Sequence, residues 1–285
     1  MKRSPLIKPA ILFSGTKNSG KTACEVAVAQ CFCELSKLKH PKHYVLSFDG
    51  VSAETVRFTC GNPKNVIVKN FTLKMDDVEA ANDVRILKLS HDIYQRAEAY
   101  LNLIAKRKDA SVITIEALKN VNRMNERTTR FKKNYPIDRS AFKDGSFWEM
   151  RNNFTEFLFF KAHSLARDAV QCSSYFTSRE QVDELTGTNE TVKMPNYGTE
   201  RIEQVINVVL NPMAHLVKKK AEYTCMVYSS KLPSLFRPME TFNMTGTFGA
   251  DGQIRITPYM RIKPLLMPRL KLYRQMKEPK KVKFI

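Results

Sequence analysis

The sequence predicts an α/β fold, a mostly parallel sheet sandwiched by helices, and three observations carry that prediction. Short apolar runs suited to buried strands, AILFS at 10–14, YVLSF at 44–48 and VITIE at 112–116, alternate with longer segments of helical spacing. The first run leads directly into GTKNSGKT, Gly15–Thr22, a glycine-rich turn set between a strand and a helix. A hydrophobic fraction of 43% in 285 residues is enough for one sizeable core.

Each element follows in order. After the turn, residues 22–38 hold no Gly or Pro and are apolar on most faces, as expected of a helix packed against a sheet. HYVLSFDG reads as a second strand ending on Asp49 and Gly50, with Glu54 a little further along. NVIVKNF (65–71) reads as another short strand. Residues 76–108 have helical spacing, with Ile86, Leu89, Ile93, Ala97, Tyr100, Leu101 and Ile104 on one stripe. ASVITIEAL (110–118) reads as a buried strand ending in Glu116, and a polar, basic stretch without clear periodicity follows to about Ser146. A long aromatic-rich helix is expected at 147–169, then a strand at 170–180 ending in Thr177, Ser178 and Arg179, and a loop at 181–198. Residues 199–211 read as a helix stopped near Pro212, and 221–233 as a last core strand ending on Lys231. Beyond it, 243–260 reads as a hairpin turning at Gly249–Gly252. The Pro-interrupted tail mixes apolar and basic residues without a helical stripe, as an arm that docks on a neighbour or a nucleic-acid tail would. The division expected is a core over 1–235 and a C-terminal hairpin and basic tail over 236–285.

The turn has the spelling G-x-x-x-x-G-K-[ST] of a phosphate-binding loop. Its glycines let consecutive backbone N–H groups from Gly15, Thr16, Lys17, Asn18, Ser19, Gly20, Lys21, Thr22 and Ala23 point inward at phosphates. Lys21 would reach the β- and γ-phosphates, the Thr22 hydroxyl would bind Mg²⁺, and the helix that begins here adds the positive end of its dipole. Hydrolysis also needs a carboxylate at a neighbouring strand end to hold Mg²⁺ and a second one to orient water. Glu116, in place of the more usual Asp, is the candidate for the first. Asp49 and Glu54 are candidates for the second. Each could equally be a carboxylate that closes a strand in a turn.

Lys and Arg number 47 against 28 acids, a net charge of +19. Such an excess favours polyanionic partners, nucleic acid foremost, although it would also serve solubility. It is concentrated in two regions. From Arg255 to Ile285 there are ten basic residues and one acid, and 119–143 carries Arg123, Arg127, Arg130, Lys132, Lys133 and Arg139 with Phe131 and Tyr135 between them. No run of 18 apolar residues occurs, so no membrane span is expected, and the basic-then-apolar start runs into the phosphate loop rather than a cleavage site. Six cysteines without a C-x-x-C pair read as reduced core residues of an intracellular protein. HPKH at 40–43 lacks the partners of a metal site.

The order of loop and helix, strand ending in an acid, VITIE, polar loop, Trp-bearing helix, strand ending TSRE, Gly-containing loop and strand ending YSSK resembles the RecA-like ATPase core. The likeness is to the compact forms encoded by phages and archaeal viruses, and it covers roughly residues 8–235. The resemblance implies ATP and Mg²⁺ as ligands, with Glu116 as the Mg²⁺-coordinating acid and Asp49 or Glu54 as the catalytic acid. It implies a polar sensor at Thr177, Ser178 and Arg179, and a cation at Lys231 that reaches a neighbouring subunit's nucleotide. It further implies nucleic-acid contacts from loops at 119–146 and 180–198, a homo-oligomeric ring or filament, and the cytoplasm of a host cell. The function expected is an ATPase that moves or remodels DNA. A small-molecule kinase and a nucleotide-binding assembly protein share the loop and stand as alternatives.

Overall fold

The computed structural model describes residues 7–50, 53–60, 63–73, 83–136, 144–182, 189–217, 220–251 and 253–277. Strands β1 (Ala10–Ser14), β2 (Lys42–Ser47), β3 (Val66–Asn70), β4 (Ala110–Glu116) and β5 (Ala169–Ser174) run parallel in the order β3-β2-β4-β5-β1. On the far side of β1 the sheet continues through β8 (Val208–Val217), parallel to β1, and then the antiparallel β9 (Lys220–Ser230) and β10 (Thr241–Asn243). Because the central strands are parallel, Ser14, Ser47, Glu116 and Ser174 all finish at one edge of the sheet, where ligands of such folds collect. β5 separates β1 from β4, so the phosphate loop and Glu116 face each other across one intervening strand.

Both faces of the sheet are covered, which explains why β1, β4 and β5 are buried along their whole length and why the middle strands AILFS and VITI read as apolar runs. On one face, Leu12, Leu46, Ile113, Ile115 and Val170 pack with helices α3 (Asp83–Arg107), α4 (Leu118–Lys132) and α5 (Gly145–Leu165). On the other, Ile11, Phe13, Val112 and Leu210 pack with α1 (Lys21–Glu34) and α7 (Pro258–Lys277). α2 (Ala53–Cys60) lies against α1, and the one-turn α6 (Glu200–Val205) precedes β8. The cysteines are all free, five buried and Cys60 half-buried.

Four expectations are corrected. The polar stretch after Glu116 is not a loop: α4 occupies most of it, with Leu118, Val121, Met124, Asn125, Thr128 and Thr129 facing inward. Half of that stripe is polar, which hides the helical period. Asn125 Nδ2 donates to Thr155 Oγ1 at 2.9 Å and Thr155 Oγ1 donates to Asn122 Oδ1 at 2.9 Å, which ties α4 to α5, while Asn125 Oδ1 and Thr128 Oγ1 are buried without a hydrogen-bond partner. Residues 199–211 are not one helix. The Thr199 hydroxyl caps α6 by accepting from the Ile202 N–H, and the β-branched run after it enters the sheet as β8. Pro212 is tolerated there because the β1 ladder ends at Leu210. In place of a strand end and a loop, β6 (Phe176–Val182) and β7 (Asn189–Pro195) pair antiparallel as a separate two-stranded sheet.

The tail is also helical. α7 carries the stripe Ile262, Leu266, Leu270 and Tyr273 into the core, while Pro264 and Pro268 sit on its exposed side, where water can satisfy the carbonyls they leave without a partner. Residues 236–277 thus contribute an edge strand and a covering helix to the main sheet. The hairpin of β11 (Thr247–Phe248) and β12 (Ile254–Ile256) closes with the Gly249 N–H donating to the Gln253 carbonyl at 2.8 Å, at the expected turn.

Candidate nucleotide site

The phosphate loop forms because its backbone must turn where only glycine fits. A Cβ on Gly15 would lie 2.8 Å from the Pro212 carbonyl oxygen and 2.6 Å from Ser19 Oγ. Gly20 caps α1 in the left-handed region at φ 84°, with the Tyr223 ring 3.1 Å from where its Cβ would be. The loop and the strand ends surround a cavity of about 1280 Å³. Gly15, Lys17, Asn18, Ser19, Gly20, Lys21, Thr22 and Ala23 line it, and Thr16 contributes its carbonyl to the loop itself.

Lys21 is folded back on the loop, donating to the Gly15 carbonyl at 3.0 Å and the Thr16 carbonyl at 2.5 Å. Burial lowers its pKa, against the pull of Glu25, Asp49 and Glu116. The Thr22 hydroxyl donates to Glu116 Oε1, and Ser47, paired with Glu116 in the β2–β4 register, donates to Oε2 at 2.7 Å. Burial raises the Glu116 pKa, hydrogen bonds from Thr22 and Ser47 lower it, and the Asp49 charge raises it again. Asp49 lines the cavity and accepts from Asn120 Nδ2 at 3.1 Å. Ser19 Oγ and Ser174 Oγ, both in the cavity lining, are buried without hydrogen-bond partners. With the inward-facing loop they fit a ligand rich in oxygen acceptors.

A hydroxyl and a carboxylate oxygen in contact at the head of α1 fit Mg²⁺, which binds through one or two protein oxygens plus phosphates. Thr22 and Glu116 would hold the ion. Among the described residues no group of three His, Cys, Asp or Glu could form an all-protein metal cage.

Other expected site residues lie elsewhere. Lys231 is at the opposite end of the sheet from the loop: β9 is antiparallel, and the Lys231 N–H donates to the Asn207 carbonyl beside the start of β1. Lys231 does not line this chain's own cavity; the role the resemblance implies for it is toward a neighbouring subunit's nucleotide. Thr177 and Ser178 sit on β6, with Thr177 Oγ1 donating to the Met194 carbonyl at 3.3 Å, and neither lines the cavity. The strand-end positions expected for them belong to Ser173, Ser174 and Tyr175. The side chains of Glu54 and Arg179 fall outside the described residues, as does Arg139. Of the basic residues, Arg123 lines the cavity, whereas Arg127, Arg130, Lys132 and Lys133 follow α4 away from it. Arg130 pairs with Glu126 at 3.2 Å and Lys133 with Asp144 at 3.5 Å. Phe131 stacks on His91 and Tyr135 on Phe147.

Sequence reasoning missed Ser47, Ser173, Asn120, Lys119 and Glu25. The Ser173 Oγ accepts from the Ala117 N–H at 2.9 Å and fixes the left-handed turn after Glu116. Glu25, one turn beyond Thr22, is 1% exposed and neither carboxylate oxygen makes a hydrogen bond. Burial pushes its carboxyl well above the ordinary range, the Glu116 charge adds to this, and Ser173 and Lys21 offset it only in part. Its position three residues after the loop was the available signal.

The parallel sheet, the glycine-rich loop at the head of α1 and the acid one strand beyond give the chain the α/β fold of P-loop NTPases. Among solved structures, the KaiC-like protein PH0186 from the hyperthermophilic archaeon Pyrococcus horikoshii OT3 is similar at 10% identity and a TM-score of 0.40, over 86% of this chain and 88% of that one. The topology and the loop, not this distant likeness, carry the fold. No family profile and no curated protein sequence matches the chain.

Proposed function

We propose that this chain is a Mg²⁺-dependent ATPase that acts on nucleic acid as a homo-oligomeric ring or filament, in the manner of a DNA-packaging, helicase-like or recombination-type motor. The observation that carries the ATPase reading is the contact of Thr22 with Glu116 above a cradle that also holds Lys21. Lys21, released from the Gly15 and Thr16 carbonyls, binds the β- and γ-phosphates, and the loop N–H groups hold the chain of phosphates in line. Glu116, fixed by Ser47, and Thr22 would hold Mg²⁺, which would supply charge neutralisation when bound. Asp49, held by Asn120 beside Glu116, is the described acid placed to orient the attacking water.

The nucleic-acid reading rests on the net charge of +19 and on cations such as Arg127 and the exposed Lys132 toward the far end of α4. With Phe131 and Tyr135 already stacked inside the protein, that contact would be made to phosphates rather than bases.

The test is ATP hydrolysis by the purified chain with and without single- and double-stranded DNA, beside Lys21→Ala. Stimulation by DNA, abolished in the variant, supports the motor. Turnover indifferent to DNA removes the nucleic-acid half, phosphoryl transfer to a small acceptor makes it a kinase, and tight binding without turnover makes it a structural nucleotide binder.

A further inference from the structure

We propose that Lys119 and Arg123, on the first two turns of α4, supply the cations that face the terminal phosphate, from the same chain that holds the nucleotide. The inference rests on reading the cavity as an ATPase site.

The placement follows from the turn after Glu116. Ala117 adopts φ 64°, held by its N–H bond to Ser173 Oγ, and α4 starts at the next residue. Positions 119 and 123 are one turn apart and share a face of the helix. That face is turned away from the buried stripe of Leu118, Val121, Met124 and Asn125, and both residues line the cavity with Lys21, Glu116, Ser173 and Tyr175.

A place in the cavity lining, which Arg127 and Lys132 lack, and the absence of an acidic partner, which Arg130 and Lys133 have, together set them apart from the other cations of this stretch. Arg130 and Lys133 are neutralised by Glu126 and Asp144. Lys119 rests 4.9 Å over the Tyr175 ring, and Arg123 has no ion pair or hydrogen bond among the described residues. Both are exposed to the cavity mouth rather than committed to the fold. Two cations without acidic partners, next to a phosphate cradle whose own lysine is the only other cation beyond Lys17 in the lining, form an electrostatic wall for developing negative charge.

In the step they assist, a bond forms from the water oxygen to the γ-phosphorus. The bond from that phosphorus to the bridging oxygen breaks, leaving its electron pair on ADP, and the water proton leaves on the released phosphate or to solvent. Lys119 and Arg123 stabilise the charge that spreads over the γ-phosphoryl oxygens. Hydrolysis then needs no cation from a second copy, and Lys231, at the opposite sheet edge, is not called on.

The experiment compares the full-length parent with Lys119→Ala, Arg123→Ala and the double variant. It measures affinity for a non-hydrolysable ATP analogue, single-turnover hydrolysis with Mg²⁺, and rescue by an excess of Lys21→Ala protein. Both sites are exposed, so the thermal transition should hold. The expected result is analogue affinity within a few-fold of the parent, hydrolysis slower by about 1000-fold in the double variant, and no rescue. Unchanged turnover in the double variant, or recovery on adding Lys21→Ala protein, would overturn the proposal while leaving the ATPase reading intact. So would loss of DNA binding with normal DNA-free turnover, which returns Arg123 to a nucleic-acid surface. A parent that binds ATP without hydrolysing it would sink the ATPase reading and this proposal with it.

Discussion

The Thr22 hydroxyl donates to Glu116 Oε1 although 94 positions separate the two residues in the chain. The contact joins the head of α1 to the end of β4 and defines where a hard cation would sit. Ser47 holds the other carboxylate oxygen, so Glu116 is oriented from two sides. Glu116→Gln keeps the shape and both neighbours but removes the charge. We expect ATP to bind within a few-fold of the parent, and hydrolysis to fall at least about 100-fold, several kcal/mol of charge stabilisation being lost. Single-turnover hydrolysis beside an equilibrium titration separates the two effects, and parental turnover would move the metal-holding role to another acid.

The loop glycines predict a different failure. In Gly15→Ala the added methyl meets the Pro212 carbonyl, which belongs to a sheet strand and cannot rotate away. The cradle must deform, at a cost of roughly 1–3 kcal/mol in stability and with loss of nucleotide binding. Gly20→Ala places a side chain in the left-handed region against Tyr223, at about 1–2 kcal/mol. Urea denaturation and ATP titration of both variants check this, and parental affinity in Gly15→Ala would show that the loop turns by another route.

The loop, its strand and the acid at the end of β4 were legible because each is a local signal: a fixed spacing, an apolar run, a charged residue at its end. What escaped depends on contacts between distant segments. α4 was hidden because Asn125, Thr128 and Thr129 occupy its buried stripe, and the partner of the Asn125 amide N–H, Thr155, lies on another helix. α7 was hidden by two prolines that are harmless only on the side facing water. The distance of Lys231 from this chain's own loop was not legible because its strand runs antiparallel, a direction the sequence of that strand does not encode. Glu25 went unremarked because a carboxyl on a helix normally marks the solvent side, and here α1 is covered on nearly all faces.

α7 belongs to the core of the main sheet, and stability should say so. Leu266 is 3% exposed and packs with the apolar residues of β8, β9 and α1, whereas Leu272 on the same helix is 54% exposed. Leu266→Ala should lower unfolding free energy by about 2–5 kcal/mol, and Leu272→Ala should change it by roughly 0.5 kcal/mol or less. A single cooperative urea transition is expected in both. If Leu266→Ala instead produced an early, separate transition, α7 would be an appendage that unfolds alone.

Glu25 makes stability depend on pH. Its carboxyl is fully buried and its pKa is raised well above the ordinary 4.5, first by burial and then by the Glu116 charge. Above 4.5 the unfolded chain has lost this proton while the folded chain retains it. The native state therefore binds more protons than the unfolded one, and stability falls as pH rises until the folded group itself ionises. Every pH unit spent in that window removes about 1.4 kcal/mol. Glu25→Gln takes the titration away at nearly the same shape. At pH 5 parent and variant should melt at similar temperatures. By pH 8 the variant should be the more stable, each kcal/mol appearing as roughly 2–4 °C. Glu116, whose pKa burial also raises, remains in both proteins, and because its charge acts on Glu25 the comparison reads Glu25 together with that coupling. Melting curves collected between pH 5 and pH 8 decide the matter: a difference that stays constant across the range would mean that Glu25 is ionised in the folded chain throughout, and that Lys21 outweighs its burial.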